Sequence, residues 1–305
     1  MKTPWTCGAD PEMMLTRDGG LVAVQQFIQG TKQEPQPLKG GGNVQKDNAL
    51  LEFATPIAHN KLEFVEQMAS CFNDVLDLLP EGVDVIITPS ADFPEAELQH
   101  PETQEFFCEP DFNAWTMGMN EAPDDFEAGT FRSAGAHVHI GHVKDSGNDF
   151  LLDYEGKLDT IRTCDATLGL ASTLLDSSVA ALARRKLYGR PGCYRDTEYG
   201  VEYRTLSNFW IQSPVYVMWV HSFVDDVLNI VREGKHNELI GALNPNRIQT
   251  TIMKGDESMA NYLMDKHVRP LLSKESKARF ADSKLLSLSD INFKDEWKGV
   301  KKYVS

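Results

Sequence analysis

Apolar and polar positions alternate along residues 5–16 and 21–28, on either side of Asp18-Gly19-Gly20. This pattern predicts two strands joined by a hairpin turn. A polar stretch follows and ends in Gly40-Gly41-Gly42, which reads as a mobile loop. Residues 43–54 read as a further strand. Leu62, Val65, Met68, Phe72, Val75, Leu76 and Leu79 recur at helical spacing and predict an amphipathic helix over 59–79. Residues 83–87 form a short apolar strand. Residues 90–130 are rich in acids, proline and aromatics without a period, and read as an irregular excursion over a sheet. A strand over 131–142, a long helix over 157–186, a Gly- and Arg-containing loop over 187–199 and a strand over 200–206 come next. From residue 214 the pattern is mainly helical, and its last thirty residues are rich in lysine and read as a cap on the domain. Strands mixed with two long helices, with hairpins present, predict an α+β fold with a mainly antiparallel sheet flanked by helices. The expected organisation is one domain over 1–305, with a sheet core in 1–213 and a mainly helical part in 214–305.

Four of these strands carry charged or polar residues at i and i+2, which share one face of a strand. Asp10 and Glu12 form the first pair; alone, such a pair is as often a solvated face, and Pro11 between them argues for an edge or a bulge. Glu52 follows, flanked by apolar residues, with Asn48 and Leu50 on its face. His137 and His139 share a face after the small residues of Ser133-Ala134-Gly135-Ala136, which allow close approach to the backbone; His142 is out of phase. Glu202 and Arg204 form the last pair, preceded by Arg190 and Arg195 in the loop. Suppose the acids Asp10, Glu12, Glu52 and Glu202 converge. Carboxylates about 5 Å apart repel by about 3 kcal/mol per pair at an effective dielectric near 20. Such a cluster calls for divalent cations, and hard oxygen ligands select Mg²⁺ or Mn²⁺.

Composition narrows the partners. The 305 residues carry a net charge of -15 with a pI of about 5.0, which disfavours nucleic acid and anionic membranes as partners. Cys7, Cys71, Cys108, Cys164 and Cys193 show no C-x-x-C spacing and read as reduced thiols of a cytoplasm-like compartment. There is no apolar run of membrane-spanning length and no signal-peptide pattern. The expectation is a soluble, cytoplasmic protein. No Walker A and no G-x-G-x-x-G sequence is present, so a nucleotide would not bind through a P-loop or a Rossmann turn.

The runs GADPEM, GAHVHIG and VEYRT resemble the G-x-E-x-E, G-x-H-x-H and E-x-R strands of glutamine synthetase-like enzymes, in the same order. GADPEMML, QKDNALLEF, RSAGAHVHIGH, GRPGCYR and GVEYRTLSNFW together resemble the phage-encoded carboxylate-amine ligases of type 2, the phiEco32-like family. The matching stretches span residues 8 to 210. The resemblance implies a glutamine synthetase-type catalytic domain that uses ATP and Mg²⁺ to join a carboxylate to an amine through an acyl phosphate. It implies metal ligation by Asp10, Glu12, Glu52, His137 and Glu202. Asp10 stands where glutamine synthetases carry Glu, which shortens the reach and keeps the charge. Arg204 and Arg195 would act on the transferring phosphate, and His139, Arg190, Arg195 and Arg204 would hold the nucleotide. The substrates would be one carboxylate and one amine, as small molecules or peptides, in the host cytoplasm if the chain is phage-encoded. The sequence leaves an oligomer open. The competing expectations are a guanidino kinase-like phosphotransferase on the same sheet and a non-catalytic ligand-binding or virion-associated protein. The Gly40–Gly42 and 187–199 loops are the expected lids.

Overall fold

The computed structural model describes residues 3–104, 111–120 and 129–300 of the chain. Its strands are β1 (Trp5–Arg17), β2 (Gly20–Val22), β3 (Gln36–Pro37), β4 (Asn43–Asp47), β5 (Leu50–Ala54), β6 (Val83–Ile86), β7 (Ser90–Asp92), β8 (Phe112–Asn113), β9 (Gly118–Met119), β10 (Phe131–Ser133), β11 (Ala136–His142), β12 (Cys193–Thr197) and β13 (Gly200–Tyr203). The main helices are α1 (Lys61–Leu78), α2 (Tyr154–Cys164), α3 (Leu170–Thr173), α4 (Val179–Leu187), α5 (Pro214–Arg232), α6 (His236–Leu243), α7 (Pro245–Lys254), α8 (Glu257–Leu263), α9 (Lys274–Lys284) and α10 (Phe293–Lys298). The fold is α+β, as the hydrophobic pattern predicts. One antiparallel sheet runs in the order β3-β4-β5-β1-β11-β13-β12-β8-β9, with β2 and β6 also paired to β1. No helix among the described residues is long and apolar enough to cross a membrane.

β1 is the centre of this sheet, because its period of two separates two kinds of residue. Trp5, Cys7, Ala9, Met13 and Leu15 point into the main core, and Asp10 and Glu12 point the other way. The core face is covered by α1, α2 and α5, and α5 packs in turn on α9. Phe64, Phe72 and Trp210 fill the space between sheet and helices, and Trp219 and Phe223 pack on Phe280 between α5 and α9. Each such side chain contributes about 1.5–3 kcal/mol on burial. α1 starts where Asn60 accepts from the Glu63 amide (3.0 Å) and Glu63 accepts in return from the His59 amide (2.7 Å), so two end amides are satisfied at once. Near the lysine-rich end, Trp297 of α10 stacks on Phe72 at 5.2 Å and donates to the Ile211 carbonyl at 2.8 Å.

Several local expectations change. Pro11 lies in a central strand, at the point where β1 passes from pairing with β11 to pairing with β5. After the Asp18-Gly19 turn, strand pairing stops at Val22, and Val24–Gln26 form a helical turn. Residues 43–54 are a hairpin, β4 and β5, turning at Asn48 with a left-handed φ of 54°. Leu62 of α1 is exposed, and Phe64 and Cys71 take places in the buried stripe. The 131–142 strand divides into β10, which pairs with β7, and β11, which joins the main sheet. The 157–186 helix divides at a wide turn, Asp165–Gly169, and again before α4. Arg195 sits on strand β12, not in a loop. Within the 90–130 excursion, residues 105–110 (with Cys108) and 121–128 lie outside the described residues.

The wide turn after α2 carries a fully buried carboxylate, Asp165. Trp115 Nε1 donates to one oxygen at 2.7 Å, and Tyr203 Oη donates to the other at 2.8 Å. The Thr205 hydroxyl lies 3.1 Å from that second oxygen. Burial pushes this carboxyl up to about 6, against the opposing pull of its donors. An acid whose folded pKa lies above its unfolded value of about 3.9 contributes stability below that pH, and the contribution is lost as pH rises through the folded pKa. Wild type is therefore expected to lose about 3 kcal/mol relative to Asp165→Asn between about pH 4 and pH 7. Urea unfolding of both proteins across that range measures the difference; two parallel stability profiles would show that Asp165 ionises as an ordinary carboxylate.

Candidate active site

Strand register, not sequence proximity, assembles the charged residues. Across β1 and β11, Asp10 stands opposite His137. Across β1 and β5, Glu12 stands opposite Glu52. Across β11 and β13, His139 stands opposite Glu202, and across β13 and β12, Glu202 stands opposite Arg195. All four pairs lie on the same side of the sheet and form a charged floor, of which Asp10, Glu12, Glu52, His137 and Arg195 line a cavity of about 600 Å³. Arg184, Arg195 and Arg204 line one flank of this cavity, and Lys32, Lys46 and Glu102 also line it.

Two groups of metal-competent atoms sit in this floor. In the first, His137 Nδ1 lies 3.1 Å from Asp10 Oδ1 and 3.4 Å from Glu202 Oε1, and His139 Nε2 lies 3.4 Å from Asp10 Oδ1. One ligand atom each from Asp10, His139 and Glu202 can be chosen within 4.8 Å of one another. Asp10 Oδ1, His137 Nδ1 and His139 Nε2 are all buried, and beyond these close approaches to one another they have no well-formed hydrogen bond. Buried ligand atoms gathered this closely fit a bound cation. In the second group, Glu12, Asp47 and Glu52 bring carboxylate oxygens within the same 4.8 Å. Only oxygen donors are present there, which fits a hard cation such as Mg²⁺ or Mn²⁺.

The electrostatics follow from crowding. Burial pushes the Glu52 carboxyl well above its usual range, and Asp47, Asp10 and Glu12 add to it by repulsion. Burial also raises Glu12, with His137 opposing and Asp47 adding to the rise. Asp10 goes the other way: burial would raise it, but His137 and His139 outweigh burial and hold it well below the carboxylate range. His139 is raised, since Asp10 outweighs the downward effect of burial. Arg204 pairs with Glu202 through Nη1, and its Nε lies 3.4 Å from Asp111. Burial would lower the Arg204 guanidinium, but Glu202, Asp111, Asp10 and Glu12 together raise it. Arg195 reaches Glu202 at 3.3 Å.

Asp10, Glu12, Glu52, His137, Arg195 and Arg204 thus line the cavity together, and Glu202 lies beneath them, almost fully buried. His139 stands at the side, where Nδ1 meets the Tyr199 hydroxyl at 2.5 Å. Arg190 turns back to donate to the Lys186 carbonyl at 3.0 Å and does not line the cavity. Of the expected lids, residues 187–199 contribute Tyr188, Gly189 and Arg195 to the wall. The Gly40–Gly42 turn does not; it is packed against α1, where the Gly40 amide donates to Asp74.

Sequence reasoning missed Asp47, Asp111 and Arg184. Asp47 ends β4, and its signal was the Asp47-Asn48 turn pair, hidden when 43–54 is read as one strand. Arg184 is a helical residue among other cations, with no local mark of burial. Its room comes from two glycines: a Cβ at Gly189 would lie 1.7 Å from Arg184 Nη1, and one at Gly135 would lie 2.7 Å from Arg184 Nη2. The Gly135 amide also donates to Glu12 at 2.7 Å, which fixes that carboxylate.

The family model for phage phiEco32-like COOH.NH2 ligase-type 2 matches residues 126–298, more than half of the chain. No curated protein sequence matches. Among solved structures the chain is similar to that of a bifunctional glutathione synthetase from Pasteurella multocida, at 12% identity and a TM-score of 0.42. That match covers 92% of this chain and 52% of the other, so the chain spans about half the length of that protein.

A methyl group at residue 135 would press on both Arg184 and His137. Gly135→Ala is expected to destabilise the fold by about 1–3 kcal/mol, the usual cost of overpacking. Thermal or urea unfolding measures this; an unchanged stability would mean that Arg184 and His137 move aside freely.

Proposed function

Because the chain belongs to the phage phiEco32-like COOH.NH2 ligase-type 2 family, we propose that it forms an amide bond between a carboxylate and an amine at the expense of ATP, in the cavity above β1, β5, β11 and β13. The observation that carries this reading is the pairing of an acidic, cation-competent floor with an arginine flank in one cavity. A triphosphate and a carboxylate are both anionic, and they can meet only where opposite charge is supplied from both sides. In this reading the sheet is of glutamine synthetase type, and residues 1–305 act as one ligase unit in which 214–305 buttress the core face.

Asp10, His137, His139 and Glu202 would hold one divalent cation, and Glu12, Asp47 and Glu52 a second. Bound there, Mg²⁺ would neutralise the phosphate oxygens and so lower the barrier to attack. Arg204 and Arg195 face the γ-phosphate. Arg204 is fixed between Glu202 and Asp111, so its guanidinium is already oriented when the substrate arrives. The substrate carboxylate oxygen attacks the γ-phosphorus, the bond to the β-phosphate oxygen breaks, and ADP leaves with that electron pair. The amine nitrogen then attacks the acyl carbon. The carbon–oxygen bond breaks, phosphate departs, and the nitrogen gives up its extra protons to phosphate and solvent. No enzyme nucleophile is needed, so positioning and charge carry the catalysis. Tyr188 and Gly189 lie at the wall where water must be kept from the acyl phosphate.

Calorimetric titration of ATP with Mg²⁺ tests the site. Wild type is expected to bind nucleotide only with the metal, and Glu12→Ala to lose that metal-dependent binding. Wild type that binds no nucleotide with or without Mg²⁺ would overturn the ligase reading. Arg204→Lys replaces a planar fork with a point charge and is expected to lower turnover about 10-fold or more. ADP release over a panel of acids and amines measures it, and unchanged turnover would remove Arg204 from the phosphate.

A further inference from the structure

Arg204 lies just past the end of β13, where the chain leaves the sheet, so no strand pairing fixes its main chain beyond one bond from its amide to the Cys193 carbonyl (3.0 Å). Two buried side chains of opposite charge grip that exit. Arg184 donates from Nη1 to the Thr205 carbonyl at 3.0 Å and from Nη2 to the Arg204 carbonyl at 3.2 Å. Asp165 holds Tyr203 on one side of Arg204 and Thr205 on the other, through the Tyr203 hydroxyl (2.8 Å) and the Thr205 hydroxyl (3.1 Å).

Asp165 also reaches two other elements. It accepts from Trp115, which lies in the turn between β8 and β9, and the backbone amide of Gly192, just before β12, is close enough to favour its charged form. Asp111 immediately precedes β8, Arg195 lies on β12, and Arg204 follows β13. The three elements that present Asp111, Arg195 and Arg204 to the cavity therefore meet at one carboxylate that does not itself line it. The surroundings are shaped for this contact. Asp165–Gly169 is a wide turn, and a Cβ at Gly169 would lie 3.1 Å from the Tyr203 hydroxyl and 3.4 Å from Asp165 Oδ1. Wide turns inside helices recur at functional sites.

We propose that Asp165 is a positioning residue: it acts through Tyr203, Thr205 and Trp115 to set the place of Arg204 relative to Asp111 and Arg195. The assignment rests on the ligase reading for what Arg204 touches, and on geometry alone for what Asp165 holds. A purely structural role would predict the opposite balance. A fully buried carboxylate is costly to keep ionised, and a neutral isostere would relieve that cost. Loss of Asp165 is therefore expected to harm ligand binding more than it harms the fold.

The test is a double-mutant cycle of Asp165→Asn and Arg204→Ala, read by calorimetry with Mg²⁺ and ATP, with thermal unfolding and amide exchange on each protein. Asparagine keeps the shape and turns one acceptor into a donor facing Trp115 or Tyr203. The expected result is a loss of MgATP affinity of about 10-fold or more in Asp165→Asn with no fall in thermal midpoint. In the Arg204→Ala background the same substitution should add nothing, since its effect passes through Arg204. Unchanged affinity, or a full additive loss in the double variant, would overturn the proposal. If wild type binds no MgATP, the ligase reading fails on its own. The positioning claim then stands or falls on exchange: faster exchange in 111–120 and 189–205 of Asp165→Asn supports it, and unchanged exchange overturns it. Should Asp165→Asn not fold, Tyr203→Phe removes one donor to the same carboxylate and takes its place in the cycle.

Discussion

Mutual repulsion among carboxylates that share one buried sheet face is the constraint around which this protein is organised. Asp10, Glu12, Asp47, Glu52 and Glu202 are brought together by antiparallel pairing across β4, β5, β1, β11 and β13. Register in a sheet with one apolar face is rigidly specified, because a one-residue slip would turn every core residue outward. The same slip would scatter the acids. The apolar residues of β1 on the core face therefore hold the acids of β1 in place on the other face, although the two sets never touch.

Charge compensation is divided between two kinds of group. Fixed cations are supplied by Arg195 and Arg204, which both reach Glu202. The imidazoles of His137 and His139 face Asp10 and lower it. Around Glu12, Asp47 and Glu52 the fixed compensation is thinner. Gln45 donates to Glu52 at 3.1 Å, and Lys32 pairs with Asp47 at 2.8 Å. Burial and repulsion leave Glu52 raised there, so this is the part of the floor that gains most from a bound cation. The helices on the core face offset these costs with buried aromatic and aliphatic surface.

The arginine flank depends on parts of the chain that lie outside the central strands. Arg184 comes from α4, Arg195 from β12, and Asp111 from the segment leading into β8. Glycines at 135 and 189 admit the Arg184 guanidinium, and Asp165 ties the neighbouring elements together. The segment matched by the family model includes His137, Arg184, Arg195, Glu202 and Arg204, and begins after Asp10, Glu12, Asp47 and Glu52. That half of the floor is joined to the matched segment by strand pairing and by direct contacts, such as the Gly135 amide on Glu12 and the imidazoles of His137 and His139 beside Asp10.

Periodicity by itself determined the α+β class, the antiparallel hairpins, α1 and the helical C-terminal part, since each depends on local spacing of apolar residues. It also exposed Asp10, Glu12, Glu52, His137, Glu202 and Arg204, because a charged residue at i and i+2 in an apolar strand is visible in one dimension. What needed the third dimension were residues whose local surroundings are unremarked. Asp47 is legible only once 43–54 turns at Asn48, and Arg184 only once Gly135, far away in the chain, and Gly189, just past the end of α4, make room for it. Asp165 looks like any polar residue of a helix until Trp115, Tyr203 and Thr205 close over it. Arg190, next to the motif residues in sequence, turns away to the end of α4. Sequence spacing fixes which side chains share a face; only packing decides which faces meet, because that choice rests on contacts between residues far apart in the chain.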